Sequence, residues 1–364
     1  MAKINFLINK FINKKIDNYN VLTYLSVFRV LKMESNHRNA ILGWMIGDAL
    51  GVTTEFQSSK AAKKMVEDHD DFNSGLVGNN VCTFCPGEFT DDTEMGLAIL
   101  SVLIEKHTYQ QEDVAKMYHK WYRSNPKDIG NATANCVKFP TALEMTQAAK
   151  RFNSESMSNG FLMRIPPLIA HYVRHNIPSK YLAVALEEDL CLTHCHPDLL
   201  AISKHYANIL TLAIRTRDQK TVFNYAMNQT NKGHDLIDVK FEKNSLIGKV
   251  HDAVLNQSDV IEWDNKRYFF SDIDGTACGF VLFAYWCLLR CLHMKLDYRN
   301  SMLWIAGLGG DADTNCCIAG AVMGALYPMT IPATWLYSVV MNTNSVRYVR
   351  YPPSDPKNWI TYIN

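Results

Sequence analysis

Residues 89–103 read Phe89-Thr90-Asp91-Asp92-Thr93-Glu94-Met95-Gly96-Leu97-Ala98-Ile99-Leu100-Ser101-Val102-Leu103. After Asp92, the apolar residues Met95, Ala98, Ile99, Val102 and Leu103 recur at the i, i+3, i+4, i+7, i+8 spacing of one helical face, which predicts an amphipathic helix. Its opening residues are N-cap types, and two adjacent acids face the positive end of the helix dipole. The same periodicity fits 114–122, 182–190, 199–215, 279–292 and 318–326, whereas strict alternation is hard to find. The expected fold class is all-α, a single compact multi-helix domain.

The 364 residues carry 48% hydrophobic and 20% charged side chains, a globular composition. Lys plus Arg (37) and Asp plus Glu (36) nearly cancel, so no overall positive field holds a polyanion and stable nucleic-acid binding is not expected. The charge is uneven: residues 1–32 hold Lys3, Lys10, Lys14, Lys15, Arg29 and Lys32 against Asp17 alone. Residues 1–37 therefore read as a basic, solvated N-terminal extension that leaves organellar targeting open, and 38–364 as the domain. Within it, 217–271 is more polar and reads as a variable insertion, and the Pro-rich 351–364 reads as an extended C-terminal arm. The ten cysteines are dispersed, with Cys316 and Cys317 adjacent, and read as reduced thiols of an intracellular, cytoplasmic protein rather than a disulfide framework. No membrane span is expected: 277–289 is shorter than the ~20 residues a bilayer requires, and Pro328 and Pro332 interrupt the uncharged run 316–341.

A second acidic cluster, Gly309-Gly310-Asp311-Ala312-Asp313-Thr314-Asn315, repeats the chemistry of the first: acids and a threonine where a helix begins. Helix capping is the simpler use of either cluster alone. Together, Asp91, Asp92, Asp311 and Asp313 could converge on one oxygen-rich site for hard divalent cations, with Gly309 and Gly310 admitting a close backbone approach. Gly43-Trp44-Met45-Ile46-Gly47-Asp48-Ala49-Leu50-Gly51 is a Gly-spaced helix in which Asp48 stands out, and Glu55 beyond it is either exposed at the helix end or a base beside the cations. Ser158-Asn159-Gly160 is a polar turn running into the Pro-started helix at Pro166-Pro167, suited to phosphate or ribose oxygens. His194 and Cys195 lie between two helices. A zinc site with Cys191 or with Cys82-x-x-Cys85 lacks a matching second pair, so a cleft-lining histidine is the better reading.

In this order, G-D-A-L-G-x-x-x-E, T-D-D-T, S-N-G-x-x-M-R, L-T-H and G-G-D-A-D-T resemble the ADP-ribosylglycohydrolase family, which includes the dinitrogenase-reductase-activating glycohydrolases, from about Asn39 to Tyr327. The resemblance implies an all-α fold with two Mg²⁺ (or Mn²⁺) ions in a cleft. It implies cleavage of the glycosidic bond between ADP-ribose and an arginine or serine of a modified protein, or a related ADP-ribose conjugate. By motif, Thr90, Asp91, Asp92, Asp311, Asp313 and Thr314 would be metal ligands, with Glu55 and Asp92 catalytic. Ser156, Ser158, Asn159, Gly160 and His194 would meet the phosphates and ribose. The turn departs from the family's usual Gly-Asn-Gly and small residue at Ser158 and Phe161, and Glu155 adds a negative charge beside it, departures that imply altered affinity or substrate choice. Two other readings stand beside this one. One is a non-catalytic ADP-ribose reader. The other, from Asp272-Ile273-Asp274-Gly275-Thr276, is a haloacid-dehalogenase-type phosphatase, although too few residues separate that motif from Gly309 for the strands its fold needs.

Overall fold

The computed structural model describes residues 35–68, 75–78, 84–228, 233–263, 266–269, 280–342 and 344–363. The described residues begin with α1 (Asn36–Gly51), α2 (Ser59–Asp68), α3 (Asp91–Lys106), α4 (Gln111–Arg123), α5 (Asn131–Val137) and α6 (Ala142–Phe152). It continues through α7 (Pro166–Arg174), α8 (Ser179–Cys191), α9 (Pro197–Thr216), α10 (Gln219–Asn228) and α11 (Leu246–Leu255). Next come the strands β1 (Val260–Trp263) and β2 (Lys266–Phe269), then α12 (Val281–Met294), α13 (Tyr298–Ala306) and α14 (Ala312–Leu326). The last helices are α15 (Ala333–Val340), α16 (Ser345–Arg350) and α17 (Pro356–Ile363). The all-α expectation holds. The antiparallel hairpin pairing Val260 with Phe269 is the only sheet among the described residues, inside the polar stretch 217–271. The Asp272–Thr276 motif and Cys82 lie outside the described residues.

Helix α14 is buried on every side, the pattern of a central helix rather than a half-exposed one. It packs on α9, α12 and α13, and above all on α1. That last contact is backbone against backbone. A Cβ on Gly43 would lie 2.3 Å from the carbonyl oxygen of Gly320, one on Gly47 2.3 Å from that of Cys316, and one on Gly51 2.3 Å from that of Ala312. Tyr298 Oη donates to the Gly43 carbonyl at 2.8 Å, and Trp44 Nε1 to that of Met163 at 2.7 Å, which fix α1 against α13 and the segment before α7.

Among the described residues no helix is long and apolar enough to cross a membrane. The tail is not an extended arm. After Tyr351 it forms a 3-10 turn (Pro352–Ser354) and then α17, and Tyr351 and Trp359 are fully buried. Proline here starts short helices, for which its fixed φ is suited.

Replacing Gly47 or Gly320 with Ala forces a side chain into backbone and is expected to destabilise the protein by about 1–3 kcal/mol. Thermal denaturation checks this, the melting temperature of Gly130→Ala, where a Cβ meets nothing within 4 Å, serving as the reference.

Candidate active site

The site is built around the start of α3. Asp48, fully buried on α1, accepts from the Thr90 and Thr93 backbone N–H groups at 3.1 and 3.0 Å and from the Thr90 hydroxyl at 3.0 Å. Thr90 Oγ1 accepts in turn from the Asp92 N–H at 3.4 Å. The first-turn N–H groups of Asp92 and Thr93 are thus capped by Thr90 and Asp48. Asp91 and Asp92 are left for other work. Asp92 Oδ1 accepts from the Thr314 hydroxyl at 3.2 Å, and its buried Oδ2 has no partner.

Glu55 reaches the same place by a different device. The Phe56 N–H donates to the Gly310 carbonyl at 2.8 Å and the Gly310 N–H to the Gln57 carbonyl at 3.0 Å, zipping the turn after α1 to the loop before α14. Gly309 and Gly310 lie at φ 71° and 65°, in the left-handed region, and a Cβ at Gly309 would stand 2.3 Å from the Gln57 carbonyl oxygen. Glu55 is therefore 2% exposed rather than free at a helix end, and it presents a carboxylate oxygen within 4.8 Å of ones from Asp311 and Asp313. Asp48, Asp92 and the buried thiol of Cys317 form a second such group. Glu55 Oε2 and Asp313 Oδ1 are also buried without partners.

Charge is crowded here. Burial pushes the Asp48 carboxyl up to about 7, and burial followed by the neighbouring Asp128, Asp311 and Asp91 charges pushes Glu55 up to about 9. Asp91, Asp92 and Asp313 rise well above the carboxylate range, from burial first and then from one another and the acids around them. Partnerless buried oxygens on clustered carboxylates, with threonine hydroxyls beside them, are the donor set of a hard, oxygen-liganded cation. These residues can hold a metal ion.

Asp128 carries no sequence signal, being a lone acid between α4 and α5. It lies beside Asp91, and its charge helps to raise the Asp91 carboxyl. A small cleft, with room for about one water molecule, lies alongside, lined by Thr90, Asp91, Asp128, Lys127, Arg347 and their neighbours. Two acids on this wall have cations within the protein: Glu88 pairs with Lys127 at 2.7 Å, and Glu94 is gripped by Arg347 at 2.7 Å through Nε and by Trp121 Nε1 at 2.7 Å.

The turn Ser156–Gly160 borders the cluster, since Asn159 Nδ2 donates to Asp311 Oδ2. Gly160 packs between Thr133 and His194, and its carbonyl accepts from Arg164 at 3.3 Å. His194 is fully buried behind this turn, with Nε2 2.7 Å from Ser158 Oγ and Nδ1 2.8 Å from Thr193 Oγ1. The structure thus brings together Glu55, Thr90, Asp91, Asp92, Asp311, Asp313 and Thr314, and sets Asn159 against them. Among the described residues every cysteine is free.

Residues 31–348 match the family described as ADP-ribosylglycohydrolase. The chain belongs to that family. It is 38% identical over 334 residues to a protein of Acanthamoeba polyphaga mimivirus called an ADP-ribosyl glycohydrolase, covering 91% of this chain and 98% of that one. It is 25% identical over 303 residues to the ADP-ribosyl-[dinitrogen reductase] glycohydrolase of Rhodospirillum rubrum, covering 83% and 89%. The fold matches that of a solved ADP-ribosylglycohydrolase-related protein complex with a TM-score of 0.60 at 21% identity, over 90% of this chain and 98% of that one. The protein is an ADP-ribosyl glycohydrolase, a hydrolase of glycosyl bonds that acts on ADP-ribose linkages.

The raised carboxyl pKa values carry a stability prediction. A carboxyl whose folded pKa lies above its unfolded value contributes stability that is full below about 4 and lost as pH rises through 7 to 9. In EDTA the melting temperature should therefore fall between pH 5 and pH 8.5, and added Mg²⁺ should raise it more at pH 8.5 than at pH 5. A cation effect equal at both pH values would contradict this.

Proposed function

We propose that the enzyme is a divalent-cation-dependent hydrolase that releases ADP-ribose from a modified arginine or serine side chain. The observation that supports this most is the convergence of Glu55, Asp91, Asp92, Asp311 and Asp313, from three separated parts of the chain, with partnerless buried oxygens among them. Thr90, Asp91, Asp92, Asp311, Asp313 and Thr314 would hold two Mg²⁺ (or Mn²⁺) ions. Such ions supply Lewis acidity toward ribose oxygens and a water made more acidic than in bulk.

The chain's own groups do the rest. Asp48 fixes the register of α3, and with it the directions of Asp91 and Asp92. Glu55, with a carboxylate oxygen beside those of Asp311 and Asp313, takes a proton from the attacking water and passes it to solvent; cations held by its neighbours would offset the negative charges that raise its pKa and so leave it ionised to act as the base. The turn around Ser158 and Asn159 holds the ADP-ribose oxygens and sets the anomeric carbon at the cluster. A departing arginine leaves already cationic; a departing serine takes up a proton, and Asp128, with its raised pKa, is placed to give it.

The test is ADP-ribose release from arginine-linked and serine-linked peptides in Mg²⁺ and in EDTA. Release from one peptide in Mg²⁺ alone establishes the cation dependence and the linkage. Binding of ADP-ribose without release from either would instead identify a reader. Asp92→Ala or Asp313→Ala should lose cation binding and activity together, activity falling roughly a hundredfold or more. Glu55→Gln should keep the cation-induced rise in melting temperature while slowing turnover by about 10² to 10⁴. Unchanged turnover would remove Glu55 from the reaction.

A further inference from the structure

Beneath the clustered acids lies one sulfur. Cys317 follows Asp313 and Thr314 on α14 at the i+4 and i+3 positions, so it shares their face of the helix one turn deeper. It is fully buried, and its Sγ lies within 4.8 Å of carboxylate oxygens of both Asp92 and Asp48. The thiol is weakly engaged: it donates to the Met163 carbonyl at 3.7 Å, and that oxygen already accepts from Trp44 Nε1 at 2.7 Å. Asp92 is 1% exposed, and its buried Oδ2 has no partner. An underused sulfur and an orphaned carboxylate oxygen therefore meet at one place. An ion held at about 2.1 Å from a carboxylate oxygen and about 2.3 Å from a thiolate sulfur sets those atoms roughly 3.5–4.5 Å apart, a separation within reach of this pair. Asp48, its oxygens taken by donors at the start of α3, adds charge here rather than a bond. The adjacent Cys316 belongs to another face, its Sγ donating to the Met302 carbonyl on α13 at 3.6 Å.

We propose that Cys317 and Asp92 form a site for a thiophilic divalent cation, Zn²⁺ above all, which competes for Asp92 with the hard cation of the acid cluster. Mg²⁺ takes oxygen ligands and has no preference for sulfur, whereas Zn²⁺ accepts carboxylate and thiolate together. A thiophilic ion is therefore drawn one turn deeper along α14, between Cys317 and Asp92, and Asp92 is withdrawn from the hard cation. As the metal–sulfur bond forms the S–H bond breaks, and its proton passes to solvent; no electrons change hands and no oxidant is needed. The consequence is an enzyme inhibited by one class of divalent cation and served by another. That inhibition rests on the reading above that a hard cation at Asp92 supports hydrolysis; the binding of the thiophilic ion does not.

The experiment strips the full chain of metal with EDTA, removes the chelator and titrates with Cd²⁺, a spectroscopically visible stand-in for Zn²⁺, following the ultraviolet cadmium–thiolate charge-transfer absorption. Thiols elsewhere give a background common to all variants. Above it, the unaltered protein should develop a band that Cys317→Ala and Cys317→Ser both lack and Cys316→Ala retains; the serine variant, close in size, keeps the result readable where alanine loosens the core. Asp92→Asn should weaken the Cd²⁺ affinity behind that band roughly tenfold or more, since even outer-shell partners of a metal are worth that much. Saturating Mg²⁺ should move the Cd²⁺ midpoint upward. In hydrolysis assays with Mg²⁺, Zn²⁺ should inhibit the unaltered protein at least tenfold more strongly than Cys317→Ser, each measured against its own activity without Zn²⁺. An undiminished band in both Cys317 variants, or its loss in Cys316→Ala alone, would overturn the site; a Cd²⁺ midpoint indifferent to Mg²⁺, or equal inhibition by Zn²⁺, would overturn the competition. A Cys317-dependent band in a protein that shows no Mg²⁺-dependent release would sink the proposed function and leave the thiophilic site standing.

Discussion

The approach of α1 to α14 without side chains between them is the constraint on which the site depends. Gly43, Gly47 and Gly51 on one helix meet carbonyl groups of the other at distances no Cβ tolerates. Asp48 and Glu55 hang from one side of this contact, Asp311 and Asp313 from the other. A Cβ would have to move from 2.3 Å to ordinary contact near 3.4 Å, a shift of about 1 Å. Cation–oxygen distances are held to about 0.2 Å. A single added methyl in this contact therefore exceeds, several-fold, the tolerance of the site it supports, which ties the packing of the helices to the chemistry at their ends.

The buried acids fall into two kinds, and the distinction is physical. Asp189 is matched by Arg164 at 2.8 Å with both side chains fully buried, and Tyr109 and Tyr118 donate to it as well. Glu94 is matched by Arg347 and Trp121. Each of these carboxylates has its compensating charge inside the protein, the condition under which a buried ion is tolerated. Asp91, Asp92 and Asp313 are as deeply buried, yet what surrounds them is more negative charge. Asp48 is intermediate: it lacks a cation but is saturated by N–H and hydroxyl donors, which suits a structural anchor better than a ligand. Deep burial thus marks structure in one set and a place for an external cation in the other.

Much of this was legible in residues 89–103 and 309–315, because helical periodicity and clustered acids are local properties of sequence. Glu55 was ambiguous there, since its burial comes from two hydrogen bonds to a loop some 250 residues on, a pairing that no local pattern encodes. Asp128 was invisible for the same reason: a lone acid in a connecting segment acquires meaning only from Asp91 beside it. The tail misled because Pro352, Pro353 and Pro356 suit extended chain as readily as the first turn of short helices. What decides between them is Tyr351 and Trp359, buried against a core the sequence does not display. The hairpin at Val260–Phe269 escaped notice because four-residue strands are too short for a period to show.

That tail also bears on how α3 is held. The family match ends at residue 348, yet the Tyr351 hydroxyl donates to the Glu94 carbonyl at 3.2 Å, beside the Arg347 grip on the Glu94 carboxylate. Asp48 secures the first turn of α3 from α1, while Arg347 and Tyr351 secure the next residues from the far end of the chain. Asp91 and Asp92 lie between these two attachments. A helix start bearing clustered like charges repels itself, and at a separation of 4 Å an effective dielectric of 20 still leaves about 4 kcal/mol between two such charges. Fixing the backbone on both flanks keeps that repulsion from being relieved by fraying of the helix, so the acids stay poised together. Tyr351, past the family match, and Arg347, at its end, therefore act on the site from behind, through the helix that carries it.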